Sequence, residues 1–246
     1  MGFLPLADDN RHRLRPPVVV GVLVAANLAV WITQLLLGEA ATGGYATVPY
    51  ELTHNVDLTR SAPLALQSVV VEGERHAVPQ YPGPAPIQLT LLTSMFMHGS
   101  WMHIIGNLLY LWIFGDQIED LLGHGRFIVF YVVCGLVAAG AQVAMEPDSI
   151  IPCVGASGAI AGVLGAYLVK FPLNRVQVLV GVWPVVLPAL LVLGGWIALQ
   201  LIDQMNSLAV QSTGGVAYAA HIAGFISGMI LVFVFSGLRR TPAEVR

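Results

Sequence analysis

The chain has 246 residues, of which 56% are hydrophobic and only 10% charged, with a mean hydropathy of +0.75. A soluble domain carries about 25% charged residues to face water, so this composition excludes a water-soluble globular protein and makes the lipid bilayer the solvent for much of the surface. A formal net charge of −3 without a basic stripe gives no ground for a nucleic-acid partner, and two cysteines make no disulfide framework. Cys134, inside an apolar run, reads as a small core residue and Cys153 as a packing residue.

Residues 1–17 form a short N-terminal segment whose Arg11, Arg13 and Arg15 precede the first apolar run, Val18 to Leu37. A membrane-spanning helix needs about 20 apolar residues at a rise of about 1.5 Å each, and this run supplies them. A cleaved signal peptide has the same basic head, but its apolar core is about 7–15 residues, so the run reads as a retained span. The segment 38–87 that follows carries Glu39, Glu51, Asp57, Arg60, Glu72, Glu74 and Arg75 and reads as a long loop outside the bilayer core. Loops of this length are uncommon and often functional.

Five further apolar runs follow: Ile104 to Phe114 extended upstream by Leu91 to Met102, Phe127 to Ala144, Ser157 to Val169, Val176 to Leu201, and Val216 to Phe235. The run from Ser157 is short for a bilayer and fits a helix that starts below the surface with its first turn on a cavity. With six spans, Arg11, Arg13, Arg15, Arg126, Lys170, Arg175, Arg239, Arg240 and Arg246 fall on one side and only Arg60 and Arg75 on the other. Basic residues concentrate on the cytoplasmic side, so both termini are expected there, with 38–87 external and 237–246 as a cytoplasmic tail. The expected architecture is an all-α, polytopic six-helix membrane bundle over 18–236.

Ionisable and polar residues within spans are costly and are functional candidates. Ser157 lies in Gly155-Ala156-Ser157-Gly158-Ala159 after Pro152, where Gly155 permits a sharp turn and Gly158 leaves the hydroxyl uncovered. A serine opening a helix also has unpaired backbone N–H groups around it, suited to a developing oxyanion. Taken alone, the stretch reads equally as a capping serine among small packing residues, and Ala159 departs from the G-x-S-x-G elbow of soluble hydrolases. His221 sits in the last run with Gly224 and Gly228 on the same helix face. Gly158-x-x-x-Gly162 with Gly165 offers a matching small face, so the two helices can pack closely and bring histidine to serine. His103 and Asn107 share one face near the external end of the second span, and both can donate hydrogen bonds to an oxyanion. His98 precedes them. A metal site at His98 and His103 is the weaker reading, because a separation of five residues is wrong for one helix face and no third ligand is near.

Together, His98-Gly99…His103…Asn107, Glu119-x-x-x-Gly123-x-x-x-Phe127, Gly155-Ala156-Ser157-Gly158 and Ala220-His221-x-x-Gly224-x-x-x-Gly228 resemble the rhomboid family of intramembrane serine proteases, in the family's order from Leu91 to about Gly228. The resemblance implies a Ser157–His221 dyad without a carboxylate. It also implies an oxyanion hole from the Ser157 N–H and the side chains of His103 and Asn107, no cofactor, and single-span transmembrane proteins as substrates. Two features depart from the family pattern. The first external loop lacks the Trp-Arg pair of many members, and Ala161 stands where some carry an aromatic under the histidine, leaving Tyr218 or Phe225 to hold the imidazole. Pro184 and Pro188 in the fifth span, with Gly214 and Gly215, suggest a lateral gate. The competing functions are a catalytically silent membrane binding protein, disfavoured by the intact Ser157/His221 pair, and a small-solute transporter, for which no inverted repeat is visible.

Overall fold

A computed structural model describes residues 4–11, 13–61, 68–71, 74–210 and 217–237. In chain order the elements are β1 (Leu4–Asp8), α1 (Val18–Leu37), α2 (Glu39–Gly44), α3 (Pro49–His54), α4 (Leu58–Ser61), β2 (Ser68–Val71), β3 (Glu74–Ala77), α5 (Thr90–Thr93), α6 (Trp101–Leu122), α7 (His124–Met145), α8 (Ser157–Lys170), β4 (Arg175–Val180), β5 (Trp183–Pro188), α9 (Ala189–Val210) and α10 (Tyr218–Ser236). The protein is a multi-pass helical membrane bundle. By length and composition α1, α7, the 189–206 part of α9, and α10 can each cross a bilayer. The helix α6 is as long, but its last turns carry Asp116, Glu119 and Asp120.

At 14 residues α8 is shorter than the long helices α1, α6, α7, α9 and α10, and Gly158 to Tyr167 are all buried. A helix apolar on every side belongs at the centre of a bundle, and α6, α7, α9 and α10 pack around this one. Lipid is as apolar as leucine, so helices in a membrane associate through close packing, for which small residues are suited. Here α8 and α10 meet backbone to backbone: a methyl group placed on Gly224 would overlap the Gly158 carbonyl, and one on Gly228 the Gly162 carbonyl. The small faces expected from the sequence thus form the tightest contact of the bundle.

Both described termini lie at the end of the bundle where α6 finishes. There Glu119, 1% exposed, accepts hydrogen bonds from the Val19 and Val20 amides, both 2.8 Å, and so satisfies the first turn of α1. His124 Nδ1 lies 2.5 Å from the same carboxylate. The strand β1 pairs antiparallel with β4, and β4 with β5, in a sheet ordered β1-β4-β5. Asp8 on β1 accepts from Tyr167 Oη and Gln117 Nε2, each 2.7 Å. Burial pushes its carboxyl up to about 7, the nearby Asp116 charge adds to this, and the two donors offset part of it. Arg13 pairs with Asp116 at 2.7 Å.

Three expectations are corrected. Val176 to Leu201 is not one helix: Arg175 to Pro188 folds as the β4–β5 hairpin, turning at Gly181 (φ +64°), and α9 runs from Ala189 to Val210. Pro184 and Pro188 therefore belong to a strand rather than a span, and Gly214 and Gly215 lie outside the described residues. Leu91 to Met102 breaks into single turns before α6 begins at Trp101, capped by the Ser100 hydroxyl at 3.2 Å from the His103 amide. The helical-bundle architecture is as expected, and among the described residues a three-stranded and a two-stranded sheet accompany it. The described residues of 38–87 are folded as well, and their N-terminal part is tied to the chain ahead of α8 by the Thr47–Cys153 bridge and the Tyr50 N–H to Ser149 carbonyl bond of 2.9 Å.

Candidate active site

Ser157 is the first residue of α8, so its N–H belongs to the turn that has no acceptor within the helix. The chain enters through Gly155, whose φ of +131° is closed to most side chains and whose amide donates to the Ser94 carbonyl at 2.9 Å. A side chain there would also come within 2.7 Å of His103 Nε2. One position on, Gly158 packs against Ala138 of α7.

The close approach of α8 and α10 brings His221 to Ser157, with Nε2 2.7 Å from Oγ. The other ring nitrogen, Nδ1, lies 2.6 Å from Gln200 Oε1 on α9. Trp196, one turn before Gln200, lies beside the imidazole with ring centroids 6.0 Å apart and 42° between planes. Phe225 pairs in turn with Trp196, with ring centroids 6.0 Å apart and 32° between planes. The expectation that Tyr218 or Phe225 holds the ring is corrected: the groups at the imidazole, Gln200 and Trp196, both come from α9.

On the opposite wall the histidine tautomers follow from their neighbours. His98 Nδ1 faces the Phe96 carbonyl at 3.2 Å, which can only accept, so this nitrogen carries the proton. Its Nε2 then accepts from Asn107 Nδ2 at 2.9 Å, leaving the second amide hydrogen of Asn107 for another acceptor. His98 is itself clamped by Gln34 of α1, which donates to its carbonyl (2.9 Å) and accepts from its amide (3.1 Å). The Gly99 amide approaches His103 Nδ1 at 3.5 Å, which leaves Nε2 as the hydrogen-bearing nitrogen.

A cavity of about 630 Å³ joins these groups, lined by Ser157, His221, His103 and Asn107 together with Gln200 and Trp196. Every sequence-identified polar candidate except His98 faces it, and His98 stands directly behind Asn107. Gly224 and Gly228 do not reach the cavity; they set the distance between α8 and α10. Gln200, Trp196 and Gln34 were missed by the sequence reading, although a lone amide inside an apolar run was a signal open to it. Beside the site, burial pushes the Cys153 thiol up to about 11, with the Glu146 charge adding, as suits a packing residue. Among the described residues no group of three or more His, Cys, Asp or Glu side chains is placed to hold a metal ion.

Fold and cavity together define a polytopic membrane protein with a serine and a histidine in hydrogen-bond contact inside the bundle. The rhomboid domain model matches residues 88–238, and the chain belongs to the rhomboid family. That family is in general one of intramembrane serine proteases, with some inactive members. The chain is 30% identical over 148 residues to Rhomboid protein 1, mitochondrial, of Saccharomyces cerevisiae, covering 58% of this chain and 40% of the yeast protein. It is 39% identical over 85 residues to Rhomboid protease GluP of Bacillus subtilis, covering 35% of this chain and 16% of that protein. With RHOMBOID-like protein 5 of Arabidopsis thaliana the identity is 26% over 246 residues, 91% of this chain and 72% of the plant protein. The chain thus spans less than half the length of the yeast and Bacillus relatives.

Proposed function

We propose that this protein is an active intramembrane serine endopeptidase that cuts single-span transmembrane proteins at or just inside the external face of the cell membrane. The observation that carries this reading is the 2.7 Å contact between His221 Nε2 and Ser157 Oγ within a cavity large enough for an extended peptide segment. Ser157 Oγ attacks the scissile carbonyl while Nε2 takes its proton, giving an acyl-enzyme, and the same nitrogen returns the proton to the leaving amine. Water then attacks the acyl-enzyme with His221 again as base, freeing the second product and regenerating Ser157. The Ser157 N–H, His103 Nε2–H and the free amide hydrogen of Asn107 are the donors for the oxyanion, and His98 fixes the Asn107 amide. Both termini lie on the cytoplasmic side in this reading, which follows from the basic residues gathered at that end.

The test is cleavage of a fluorescently tagged single-span substrate in proteoliposomes by wild type and Ser157→Ala. Cleavage by wild type and none by Ser157→Ala is expected, as is labelling of Ser157 by a fluorophosphonate. Equal cleavage by both proteins would sink the reading.

A further inference from the structure

We infer that Gln200 is a positioning residue for the His221 base, a neutral third member of the Ser157–His221 pair supplied by α9. This deepens the proposed function and rests on it. Gln200 Oε1 lies 2.6 Å from His221 Nδ1, and His221 Nε2 lies 2.7 Å from Ser157 Oγ, so the three side chains form one continuous chain of hydrogen bonds. A carbonyl oxygen only accepts, so the bond requires the proton on Nδ1 and leaves the Nε2 lone pair aimed at the hydroxyl. The opposite tautomer would present an N–H to Ser157 and could not take its proton.

Geometry on two sides supports this role. Trp196, one turn from Gln200 on the same face of α9, lies against the imidazole and limits its tilt. From the other side α8 is fixed by the backbone contacts at Gly224 and Gly228. Among the described residues no Asp or Glu is recorded within ion-pair distance of His221. An ionised carboxylate at this depth would be costly to bury, whereas an amide supplies the acceptor without a charge. When Ser157 gives its proton to Nε2 the ring carries two N–H groups, the Nδ1–H still bound to Gln200 and the Nε2–H ready for the leaving amine, so no proton passes to Gln200.

The experiment compares wild type, Gln200→Met, Gln200→Glu and Ser157→Ala in proteoliposomes, with kcat, KM and thermal unfolding measured for each. Methionine keeps the shape of glutamine and removes the acceptor; glutamate keeps an acceptor oxygen. Gln200→Met is expected to lose about 10- to 100-fold in kcat at unchanged KM and unfolding temperature, by analogy with partners that orient metal-bound histidines. Gln200→Glu is expected to recover most of that loss. Wild-type kcat in Gln200→Met, or recovery by methionine and not by glutamate, marks a packing role and overturns the inference. A second measurement needs no variant at position 200: ¹⁵N NMR of histidine-labelled wild type, with the His221 signals identified by their loss in His221→Ala. A protonated Nδ1 and bare Nε2 are expected, and the reverse tautomer overturns the inference. If Ser157→Ala still cleaves, the protease reading itself has failed; if Ser157→Ala is dead while Gln200→Met is fully active, only the role of Gln200 has.

Discussion

At one end of α6, Asp116 and Glu119 are held by an arginine, a histidine and helix amides, while at the other His103 and Asn107 belong to a network of histidines and amides. The same helix therefore ends in ionic chemistry on one side and neutral chemistry on the other. The ionic end joins separate pieces of chain: Glu119 seats α1, Asp116 holds Arg13, and Gln117 with Tyr167 holds Asp8 of β1. Hydrogen bonds to charged groups are the stronger ones, which suits fastening. At the other end the proposed reaction needs the His103 Nε2–H and the second amide hydrogen of Asn107 to stay available for the oxyanion. Full charges there would fix protonation states that the proposed reaction has to change.

Mutation can break this contrast in three places. The largest effect is expected at the neutral end: His103→Ala and Asn107→Ala each lose about 10²- to 10³-fold in kcat, the size typical of one oxyanion donor. Thermal unfolding should barely move, and a fall in unfolding temperature large enough to explain the lost activity would erase the difference between the ends. Glu119→Ala, at the ionic end, is expected to do the reverse. It removes the acceptor of the Val19 amide and of the buried Val20 amide and should cost about 1.5–3 kcal/mol in a reversible unfolding measurement, with kcat per folded molecule unchanged.

The smallest effect concerns pH. Burial pushes the Asp8 carboxyl up to about 7 in the folded protein from its ordinary value of 3.8, so the folded state holds the proton more tightly. Stability from this group is complete below about pH 4 and is lost as pH rises through about 7. Limited proteolysis of the N-terminal strand should accordingly be slower at pH 5 than at pH 8, and Asp8→Asn should flatten the difference. An unchanged pH profile in Asp8→Asn would show that the attachment of β1 does not titrate through this carboxyl.

Much of the site was legible because its chemistry is expensive in lipid. Ser157, His103, Asn107 and His221 stand out against apolar sequence, and the glycine spacing on α8 and α10 indicated which helices meet. The hairpin was harder to see. Residues 176–187 are strongly apolar on average, with Gln177 the one strongly polar side chain, yet Val176, Val178, Val180, Val185 and Val186 are β-branched and the run is broken by Gly181 and Pro184, which marks strands and a turn. Misplacing that span also hid Gln200. In a helix from Val176 to Leu201 it would sit at the membrane edge, where an amide needs no explanation. In α9, which runs from Ala189 to Val210, it lies in the middle of the helix. Contacts such as Gln34 to His98 join residues 64 apart in sequence, and no local pattern announces them.

The contact between α8 and α10 acts as a gauge. Because carbonyls of one helix already touch the glycine α-carbons of the other, the clearance between the two main chains is nil, and no side chain intervenes to be lengthened, shortened or repacked. The span from Ser157 to His221 is thereby inherited from two backbones, and substitutions elsewhere in the bundle leave it alone as long as the helices still seat. Changes in the shape of the cavity then have to arise in the walls that are free to vary, chiefly α9 and the segment leading into α6, while the distance between the Ser157 hydroxyl and the His221 ring stays the same.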